Sequence, residues 1–440
     1  MTTADAHDEL LTVGWRCAVC GAQQRIDRPF TWRCVNATDT DRHHAPQLVQ
    51  RIAPLRSTGH DNPFIGFRRY LAWDAFAAAA GVGESAREAL VEELDEHVAE
   101  VAGSGFLTTP FGRADALSDA LGFSVDGGVW VKDETHNVGG SHKARHLFGI
   151  LLHLVTAERV GLAPWTSVFR RPPLAIASCG NAAIAASTLA AAVGWPIRVF
   201  VPESADAAVI AILTELKASI VVCPRLVTDP PGDPCVHRFR EAVAAGAVPF
   251  SVQGTENAWC LDGGRTIGWE MARHMEERIE GPSFDRIFVQ VGGGAFAACV
   301  AAGFRMSGIT PRLHAVQTNA CAPLDRAWQL AEAMGGPRDA AQHWSECMWP
   351  WEVVGHSAAD GILDDETYDW IPVVQAMADG YGEPVVAHEP HVLEANDIGR
   401  RLTGIDASHT GTSGLAGLLT VRSRIADDER VAVVFSGVRR

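Results

Sequence analysis

From about residue 61 onward, short apolar runs alternate with longer segments in which apolar residues recur at helical spacing. Residues 84–103 and 181–194 have this helical spacing, and each segment ends at a glycine. The runs that we interpret as strands are GVWVKDE, LAIASC, IRVFVP, SIVVC, RIFVQV, RLHAVQ and VAVVFS. Strands that alternate with helices at this spacing predict parallel sheets with right-handed crossovers, and therefore an α/β fold.

Residues 1–60 lack this alternation. They are polar and irregular, and they contain the stretches CAVC, RPFTWRC and DRHHAP. We therefore predict a separate, small, cysteine-rich N-terminal segment ahead of the α/β part of the chain.

Composition and charge exclude several classes of protein. The 440 residues are 47% hydrophobic and 20% charged, as expected of a globular protein with a sizeable core. The net charge of -16 argues against nucleic acid or an anionic membrane surface as a partner. The sequence contains no apolar run of membrane-spanning length, and we expect no secretion signal because its first residues lack a basic and an apolar region. The 10 scattered cysteines favour a reducing compartment, so we predict a cytoplasmic protein.

A glycine-rich stretch directly follows the predicted strand RIFVQV and precedes a predicted helix. Backbone N–H groups at such a junction can face a phosphate group. A tight packing turn is an equally open alternative, because the stretch lacks the spacing of the dinucleotide-binding fingerprint. Its residues are Gly292, Gly293, Gly294, Ala295 and Phe296.

A lysine stands at the junction between the strand GVWVKDE and the helical segment that follows it. Lys143 lies beside Ser141 at the predicted helix N-terminus, after two glycines. The helix dipole and desolvation both disfavour an ammonium there, so we expect a lowered pKa. A lysine of lowered pKa is the nucleophile of Schiff-base chemistry. Together with a phosphate site, this lysine suggests pyridoxal 5'-phosphate as the cofactor.

The order of motifs resembles the fold-type II pyridoxal-phosphate enzymes, and threonine synthases most of all. That family reads K-x-E-x-x-N-P-T-G-S-F-K-D-R around its Schiff-base lysine, where this chain reads KDETHNVGGSHKAR. Further stretches follow the family's motifs in the same order, from about residue 105 to residue 437. They are SCGNAAIAASTLAAA, VFVPE, DGGRTIGWE and VQTNACAPL.

The resemblance implies a role for each matching residue. Lys143 would form the Schiff base, and Asn181 would bind the 3'-oxygen of the cofactor. The glycine-rich stretch 292–296 would bind its phosphate. The predicted substrate-binding residues are Ser141, Ser178, Cys179, Gly180, Cys260 and Arg265.

Two hydroxyl groups compete for the pyridine nitrogen of the cofactor. The resemblance to threonine synthases and dehydratases favours Ser436, at the end of the last predicted strand, whereas a resemblance to cysteine synthases favours Thr412. We favour Ser436. A neutral hydroxyl would leave that nitrogen largely unprotonated. His142, next to the Schiff-base lysine, would line the same pocket.

The resemblance also implies an architecture. It predicts two parallel-sheet α/β domains with the cofactor in the cleft between them. Residues 61–150 and 255–440 would form the large cofactor-binding domain, residues 151–254 a small mobile domain, and residues 1–60 the cysteine-rich segment. We expect a homodimer.

Several departures from the threonine synthase pattern point to a different substrate. Cys260 stands where those enzymes have an arginine for the substrate's phosphate, and Arg265 replaces a nearby lysine and could compensate. His142 and Ala144 replace the phenylalanine and the aspartate that flank the Schiff-base lysine.

We therefore predict a lyase-type enzyme that eliminates or replaces a group at the β or γ carbon of a small amino acid. The alternatives are a true threonine synthase acting on O-phosphohomoserine and a serine/threonine dehydratase-like ammonia-lyase. From a different class, a nucleotide-binding dehydrogenase or regulator would use GGGAF. That interpretation expects an acidic residue about 20 positions later, which GITPRLHAVQ does not supply.

The N-terminal cysteines form a candidate zinc site. Cys17, Cys20 and Cys34, together with His43 or His44, offer the four nitrogen or sulfur ligands that structural zinc requires. Long threonine synthases resemble this chain in having a cysteine-rich N-terminal knob. Because a second C-x2-C pair is missing, a knob without metal is an equally open alternative.

Overall fold

We analysed a computed structural model of the chain, which describes residues 10–51, 53–278 and 284–440. The chain forms two compact units. The first unit comprises Met1–Leu107 and Lys143–Thr266, and the second comprises Thr108–His142 and Ile267–Arg440. The division into functional domains that the sequence suggested stays a prediction.

All seven strands that the sequence predicted are present, together with shorter ones. The strands are β1 (Thr12–Cys17), β2 (Gln23–Arg25), β3 (Pro46–Gln50), β4 (Phe111–Arg113), β5 (Gly128–Asp133), β6 (Leu174–Ala177), β7 (Ile197–Val201), β8 (Ser219–Val222), β9 (Val248–Pro249), β10 (Arg286–Gln290), β11 (Arg312–Thr318), β12 (Glu383–Ala387) and β13 (Arg430–Phe435).

The α-helices of the described residues lie between these strands. They are α1 (Pro63–Gly66), α2 (Ala72–Ala79), α3 (Glu84–Ala102), α4 (Asp115–Ala120), α5 (Lys143–Arg159), α6 (Asn181–Ala192), α7 (Ala207–Glu215), α8 (Pro234–Ala244), α9 (Cys260–Gly263), α10 (Arg265–Arg278), α11 (Ala295–Met306), α12 (Pro323–Ala333), α13 (Trp344–Cys347), α14 (Trp370–Gly380), α15 (Glu389–Thr403) and α16 (His409–Val421).

The first unit contains two sheets. Strands β1 to β3 form a small antiparallel sheet in the order β2-β1-β3, so the cysteine-rich segment contains a sheet of its own. Strands β6 to β9 form a parallel sheet in the order β8-β7-β6-β9. Its apolar core includes Ala175, Phe200 and Phe239.

The second unit is built on a six-stranded sheet in the order β12-β11-β10-β13-β5-β4. Only the edge strand β4 is antiparallel to its neighbour. Strands buried on both faces require continuous apolar runs, and β13 supplies one in VAVVF. The α/β fold with parallel sheets that the sequence predicted is therefore confirmed.

Glycines bring helix α16 close to this sheet. A side chain at Gly414 would meet the Phe288 carbonyl oxygen at 2.8 Å, and a side chain at Gly417 would collide with Val316. A glycine inside a helix costs roughly 1 kcal/mol relative to alanine, so these positions are explained by the close approach rather than by helix propensity.

In the second unit, β5, β10 and β13 are parallel, so their carboxyl ends meet at one edge of the sheet. Ligands of open parallel sheets bind at this edge. Within the described residues, no helix combines the length and the apolar character that crossing a membrane requires.

Candidate active site

The turn after β5 owes its shape to two glycines with left-handed backbone conformation. Gly139 has φ 67° and Gly140 has φ 71°, a backbone conformation that residues with a side chain rarely adopt. The Asn137 side chain holds the turn by accepting a hydrogen bond from the Val138 N–H and donating one to the Ser141 carbonyl at 3.1 Å. The two glycines in NVGGSHK therefore allow a tight turn that places Ser141 and His142 next to the end of β5.

A buried network of charged and polar side chains is hydrogen-bonded to this turn. The Lys132 ammonium is fully buried and donates to Glu270 at 2.5 Å and to the Thr109 carbonyl at 2.7 Å. The Thr109 hydroxyl donates to Glu134 at 2.5 Å, and Glu134 accepts from Asn137 at 3.1 Å. Thr109 and Glu270 are remote from the turn in sequence, so no local pattern indicates this network.

His142 and Ser436 form a close pair in the second unit. The imidazole Nδ1 of His142 lies 2.5 Å from Ser436 Oγ, and the backbone N–H of His142 donates to the same oxygen at 3.1 Å. The imidazole ring also stacks on Phe296, with ring centroids 3.8 Å apart and planes 15° from parallel. Both His142 and Ser436 are buried. The structure thus brings together three of the residues predicted to bind the cofactor.

Thr412 has a different environment. Its hydroxyl donates back to the Ser408 and His409 carbonyls of its own helical turn at 3.3 Å and accepts from Asn396 at 3.2 Å. These partners occupy the hydroxyl within the second unit. Both hydroxyls thus have partners within the second unit, and the choice between Ser436 and Thr412 for the pyridine nitrogen stays a prediction.

The glycine-rich turn leads from β10 into α11. Gly294 precedes the helix with φ 95°, and the carbonyl of Gly293 accepts a hydrogen bond from the Asp369 N–H at 2.8 Å. A side chain at Gly292 would collide with the Asp364 carboxylate. The turn therefore combines the N–H groups of a helix N-terminus with close packing, and an acidic side chain lies against it. The acidic stretch LDDETYDW is visible in the sequence as a run of charge, but no local pattern connects it to the glycine-rich turn.

Lys143 is the first residue of α5 and is partly buried. One turn later, His146 is completely buried, and burial together with the charge of Lys143 lowers its pKa to about 3. His146 is therefore neutral, and its Nδ1 donates to the Cys260 carbonyl at 2.8 Å. A side chain at Gly263 would collide with the Arg145 carbonyl, so this part of the chain lies directly against the helix that carries Lys143.

Arg265, predicted to contact substrate, is a buried structural residue in this unit. Its guanidinium pairs with Asp262 and donates to Gln50 at 2.5 Å and to the Tyr70 carbonyl at 3.0 Å. Cys260 is likewise buried. This geometry weighs against Arg265 as a replacement for the phosphate-binding arginine.

The turn between β6 and α6 has the predicted strand-turn-helix geometry. The Gly180 N–H donates to the Ser178 hydroxyl at 3.3 Å, and Asn181 begins α6. Ser178 and Asn181 are half-buried and Cys179 is exposed. A side chain at Gly180 would meet no atom of the described part of the chain within 4 Å, apart from its immediate neighbours, so the space beside Gly180 is open.

The three N-terminal cysteines meet as the sequence predicted, and the histidine beside them is His44, not His43. The ligand atoms of Cys17, Cys20, Cys34 and His44 all lie within 4.8 Å of one another. Cys20 Sγ is 3.5 Å from Cys34 Sγ, and Cys17 Sγ is 3.4 Å from His44 Nδ1. His44 is buried, whereas His43 is exposed and lies outside the cluster, which decides between them.

The pKa values of two cysteines in this cluster are shifted in opposite directions. Burial raises the pKa of Cys34 to about 12. Burial also acts to raise the pKa of Cys20, but hydrogen bonds from the Ala22 backbone, Cys34 and Asn36 lower it to about 6. The second ring nitrogen of His44 lies 3.6 Å from Asp41, an arrangement typical of metal-binding histidines.

Parallel sheets with glycine turns at their carboxyl ends and a lysine at the start of a helix are the features of fold-type II pyridoxal-phosphate enzymes. Residues 104–437 match the family described as "Pyridoxal-phosphate dependent enzyme". This match spans more than half of the chain, so the chain belongs to that family. A dehydrogenase is no longer needed to explain the glycine-rich turn. Among curated proteins, no sequence matches the chain.

Solved structures of enzymes share the fold. Threonine deaminase isoform 2 from Solanum lycopersicum, in its processed form, is 16% identical, with a TM-score of 0.57 over 81% of this chain and 86% of that chain. Diaminopropionate ammonia lyase from Escherichia coli is 16% identical, with a TM-score of 0.60 over 80% of this chain and 88% of that chain. Maize serine racemase is 17% identical, with a TM-score of 0.56 over 80% of this chain and 93% of that chain. At these identities the likeness concerns the fold, and the likeness to threonine synthases stays a prediction.

Proposed function

We propose that this enzyme carries pyridoxal 5'-phosphate on Lys143 and eliminates or replaces a group at the β or γ carbon of a small amino acid. The observation that carries the assignment of Lys143 is that the chain contains three lysines. Lys132 is locked in a buried ion pair with Glu270, and Lys217 lies in the link between α7 and β8. Lys143 is the one at a helix N-terminus after the glycine turn.

The residues around these turns fit the cofactor. The N–H groups at the start of α11 suit its phosphate, and the Ser436 hydroxyl suits its ring nitrogen. Asn181 and the free space beside Gly180 suit its 3'-oxygen and the carboxylate of an amino acid. When bound, pyridoxal phosphate withdraws electrons from the α carbon of the attached amino acid. Lys143 would hold and move the proton at that carbon.

The surroundings of Cys260 and Arg265 in the first unit favour a substrate without a phosphate group. Cys260 stands at the position of the threonine synthase arginine, and the Arg265 guanidinium is held by Asp262, Gln50 and Tyr70. We therefore favour an ammonia-lyase-type elimination on a serine- or threonine-like amino acid. Threonine synthase activity on O-phosphohomoserine is the second candidate.

Borohydride reduction of the loaded enzyme tests the cofactor assignment. The protein should be yellow, and reduction should fix the cofactor on the peptide that contains Lys143. Lys143→Ala should lose this adduct, whereas Lys217→Ala, the matched control, should keep it. A wild-type protein that stays colourless with added pyridoxal phosphate would refute the proposal. A spectral screen of amino acids, followed by assay of released keto acid, would then identify the substrate.

We also propose that Cys17, Cys20, Cys34 and His44 bind one structural zinc ion. With zinc–sulfur bonds of about 2.3 Å, tetrahedral geometry places two sulfurs about 3.8 Å apart. The Cys20–Cys34 separation of 3.5 Å is close to that value. Protein purified without added metal should contain about one equivalent of zinc, from the four-ligand stoichiometry. Cys34→Ser should lose it and Cys179→Ser, outside the cluster, should not. A zinc-free wild type would favour a metal-free knob.

A cytoplasmic homodimer is the assembly that we propose. None of the ten cysteines, all of which lie in the described part of the chain, forms a disulfide bond, which agrees with a reducing compartment. Sedimentation of the purified protein would give its mass in solution, and a monomer would contradict the proposed dimer.

A further inference from the structure

The cysteine-rich segment contains a long connection between β2 and β3. Residues 26–45, all of which the structure describes, form no strand or helix there. They carry Cys34 and His44, two of the four proposed zinc ligands. A connection of this length without secondary structure is uncommon in a compact domain. A metal ion bound by both residues would close the connection into a loop, so its shape depends on the metal site.

This connection is bonded to the segment just before α9, which lies in the same unit. The Ala258 N–H donates to the Trp32 carbonyl at 2.8 Å. The Arg42 guanidinium lies 3.0 Å from the Glu256 carboxylate, which is only 4% exposed. Trp32 and Arg42 each stand two positions before a proposed zinc ligand. The metal site would therefore fix the residues that make these contacts.

A histidine of helix α5 makes the next contact with the connection. The Phe30 N–H donates to His153 Nε2 at 3.2 Å, and a backbone N–H can only donate. The imidazole stacks on the Trp259 ring, with centroids 3.8 Å apart, and its Nδ1 has no hydrogen-bond partner among the described residues. A phenylalanine would fill these aromatic surroundings without burying an unpaired nitrogen. The feature that histidine adds here is therefore the acceptor for Phe30.

Helix α5 begins at Lys143, so the helix that contacts the connection also carries the residue on which we place the cofactor. Near its start, the His146 imidazole donates to the Cys260 carbonyl at 2.8 Å. The connection, residues 256–260 and α5 therefore form one contiguous packed group within the first unit. Packed side chains and a rigid helix of this kind can carry energetic coupling between two sites.

We propose that the site formed by Cys17, Cys20, Cys34 and His44 positions helix α5, so that zinc binding there and cofactor binding at Lys143 strengthen each other. The inference rests on the proposed function and deepens it, because the metal would regulate the affinity for the cofactor as well as stabilise the segment. Coupling between two binding sites is reciprocal, so each ligand changes the affinity of the other by the same factor. We expect a factor of about 10.

The rate of zinc release measures this coupling in protein that is folded at the start. Zinc-loaded enzyme, with or without bound pyridoxal phosphate and freed of excess cofactor, is mixed with a chelator that changes colour when it binds zinc. Release should be about 10-fold slower from the enzyme that holds the cofactor, because affinity differences appear mostly in dissociation rates. Fluorescence titration of pyridoxal phosphate into zinc-loaded and zinc-free enzyme should give the same factor. Equal rates of release would overturn the inference.

Variants test whether the coupling follows the proposed contacts. His153→Phe removes the acceptor for the Phe30 N–H and should bring the factor close to one, whereas His153→Gln supplies a side-chain oxygen and should restore it. Arg42→Gln should reduce the factor. Arg326→Gln, which removes an ion pair of the second unit, should leave it unchanged. A merely structural role of His153 would lower stability in His153→Phe and leave the factor as in the wild type, which would overturn the assignment of this residue.

The outcomes separate the possible failures. A wild type that contains no zinc refutes the zinc site. A wild type that binds no pyridoxal phosphate refutes the proposed function itself. A wild type that binds both, with a factor of one, overturns only the coupling, and this result does not depend on how well any variant folds.

Discussion

Two strand-to-helix turns that look equivalent in the sequence differ in the structure. The turn at Ser178–Asn181 is half-exposed, and the space beside Gly180 is free. The turn at Gly292–Phe296 is mostly buried and is packed against the segment from Asp364 to Asp369. Glycine therefore has two functions here. In the first turn it leaves the neighbouring space open, and in the second it allows one part of the protein to approach another.

The difference between the two turns affects how well each of them suits a phosphate group of the cofactor. The second turn offers the N–H groups of a helix N-terminus, which favour a phosphate, but the Asp364 carboxylate beside Gly292 opposes one. In the first turn, no acidic side chain of the described residues comes within 4 Å of the position that a side chain at Gly180 would take. That turn also offers the Ser178 hydroxyl as a polar group. We therefore expect substitutions at the two turns to act on different properties of the enzyme.

Acid should destabilise the two units to different extents. Burial lowers the pKa of His146 and His153, in the first unit, to about 3, and that of His314, in the second, to about 4. These histidines are neutral when folded and gain protons on unfolding below pH of about 6.5. Their contribution to stability is complete above that pH and is lost as pH falls. At a pH of about 5 the loss is about 2 kcal/mol for each histidine.

The first unit should therefore lose about 4 kcal/mol and the second about 2 kcal/mol from these groups. Hydrogen exchange measured at pH of about 7 and about 5 should show that protection falls more in the first unit. His153→Gln, which keeps an acceptor for the Phe30 N–H, should reduce the pH dependence of that unit. Equal loss of protection in both units would contradict this expectation.

Replacing one glycine in each turn tests whether the two turns differ in how tightly they are packed. Gly294→Ala places a side chain at φ 95° and 2.9 Å from Thr367, which should lower the free energy of unfolding by about 2–3 kcal/mol. Gly180→Ala is the matched control and should change it by less than about 0.5 kcal/mol. Denaturant unfolding measures both. Similar losses at the two positions would show that the turns are equally constrained.

The preference for a substrate without a phosphate group should follow from Cys260 and Arg265 in the first unit. We expect O-phosphohomoserine to react about 10- to 100-fold less efficiently than a preferred amino acid without a phosphate, because no arginine binds the phosphate at Cys260. The measurement is kcat/KM for each compound. Arg265→Lys should weaken folding without a selective effect on the phosphoester. Brisk threonine formation by the wild type would instead identify a threonine synthase.

The smallest effect concerns the charge beside the glycine-rich turn. Asp364→Asn removes a negative charge next to the proposed phosphate site and should tighten binding of pyridoxal phosphate about 3- to 10-fold, equivalent to about 1 kcal/mol. Glu352→Gln, an exposed carboxylate of the same unit, is the control. Fluorescence titration of the apoenzyme measures both. Weaker binding in Asp364→Asn would place the phosphate elsewhere.

Much of the fold and the outline of the site could be predicted from local patterns. The alternation of apolar runs and helical segments predicted the seven strands, because strand and helix periods are properties of neighbouring residues. The motif around Lys143 indicated the family for a similar reason, since the turn at Gly139 and Gly140 is encoded within a few residues. The meeting of three cysteines followed from zinc-ligand chemistry and spacing.

The tertiary structure decided which groups surround these motifs. His142 contacts Ser436 across 294 positions of sequence, and Arg265 reaches Gln50 across 215. The choice of His44 over His43 depended on which side chain faces the sulfurs. Such contacts arise when packing brings distant segments together, and no local period or spacing records them. The sequence by itself therefore determined the elements and the family, whereas packing determined the hydrogen-bond partners that set the chemistry of each candidate residue.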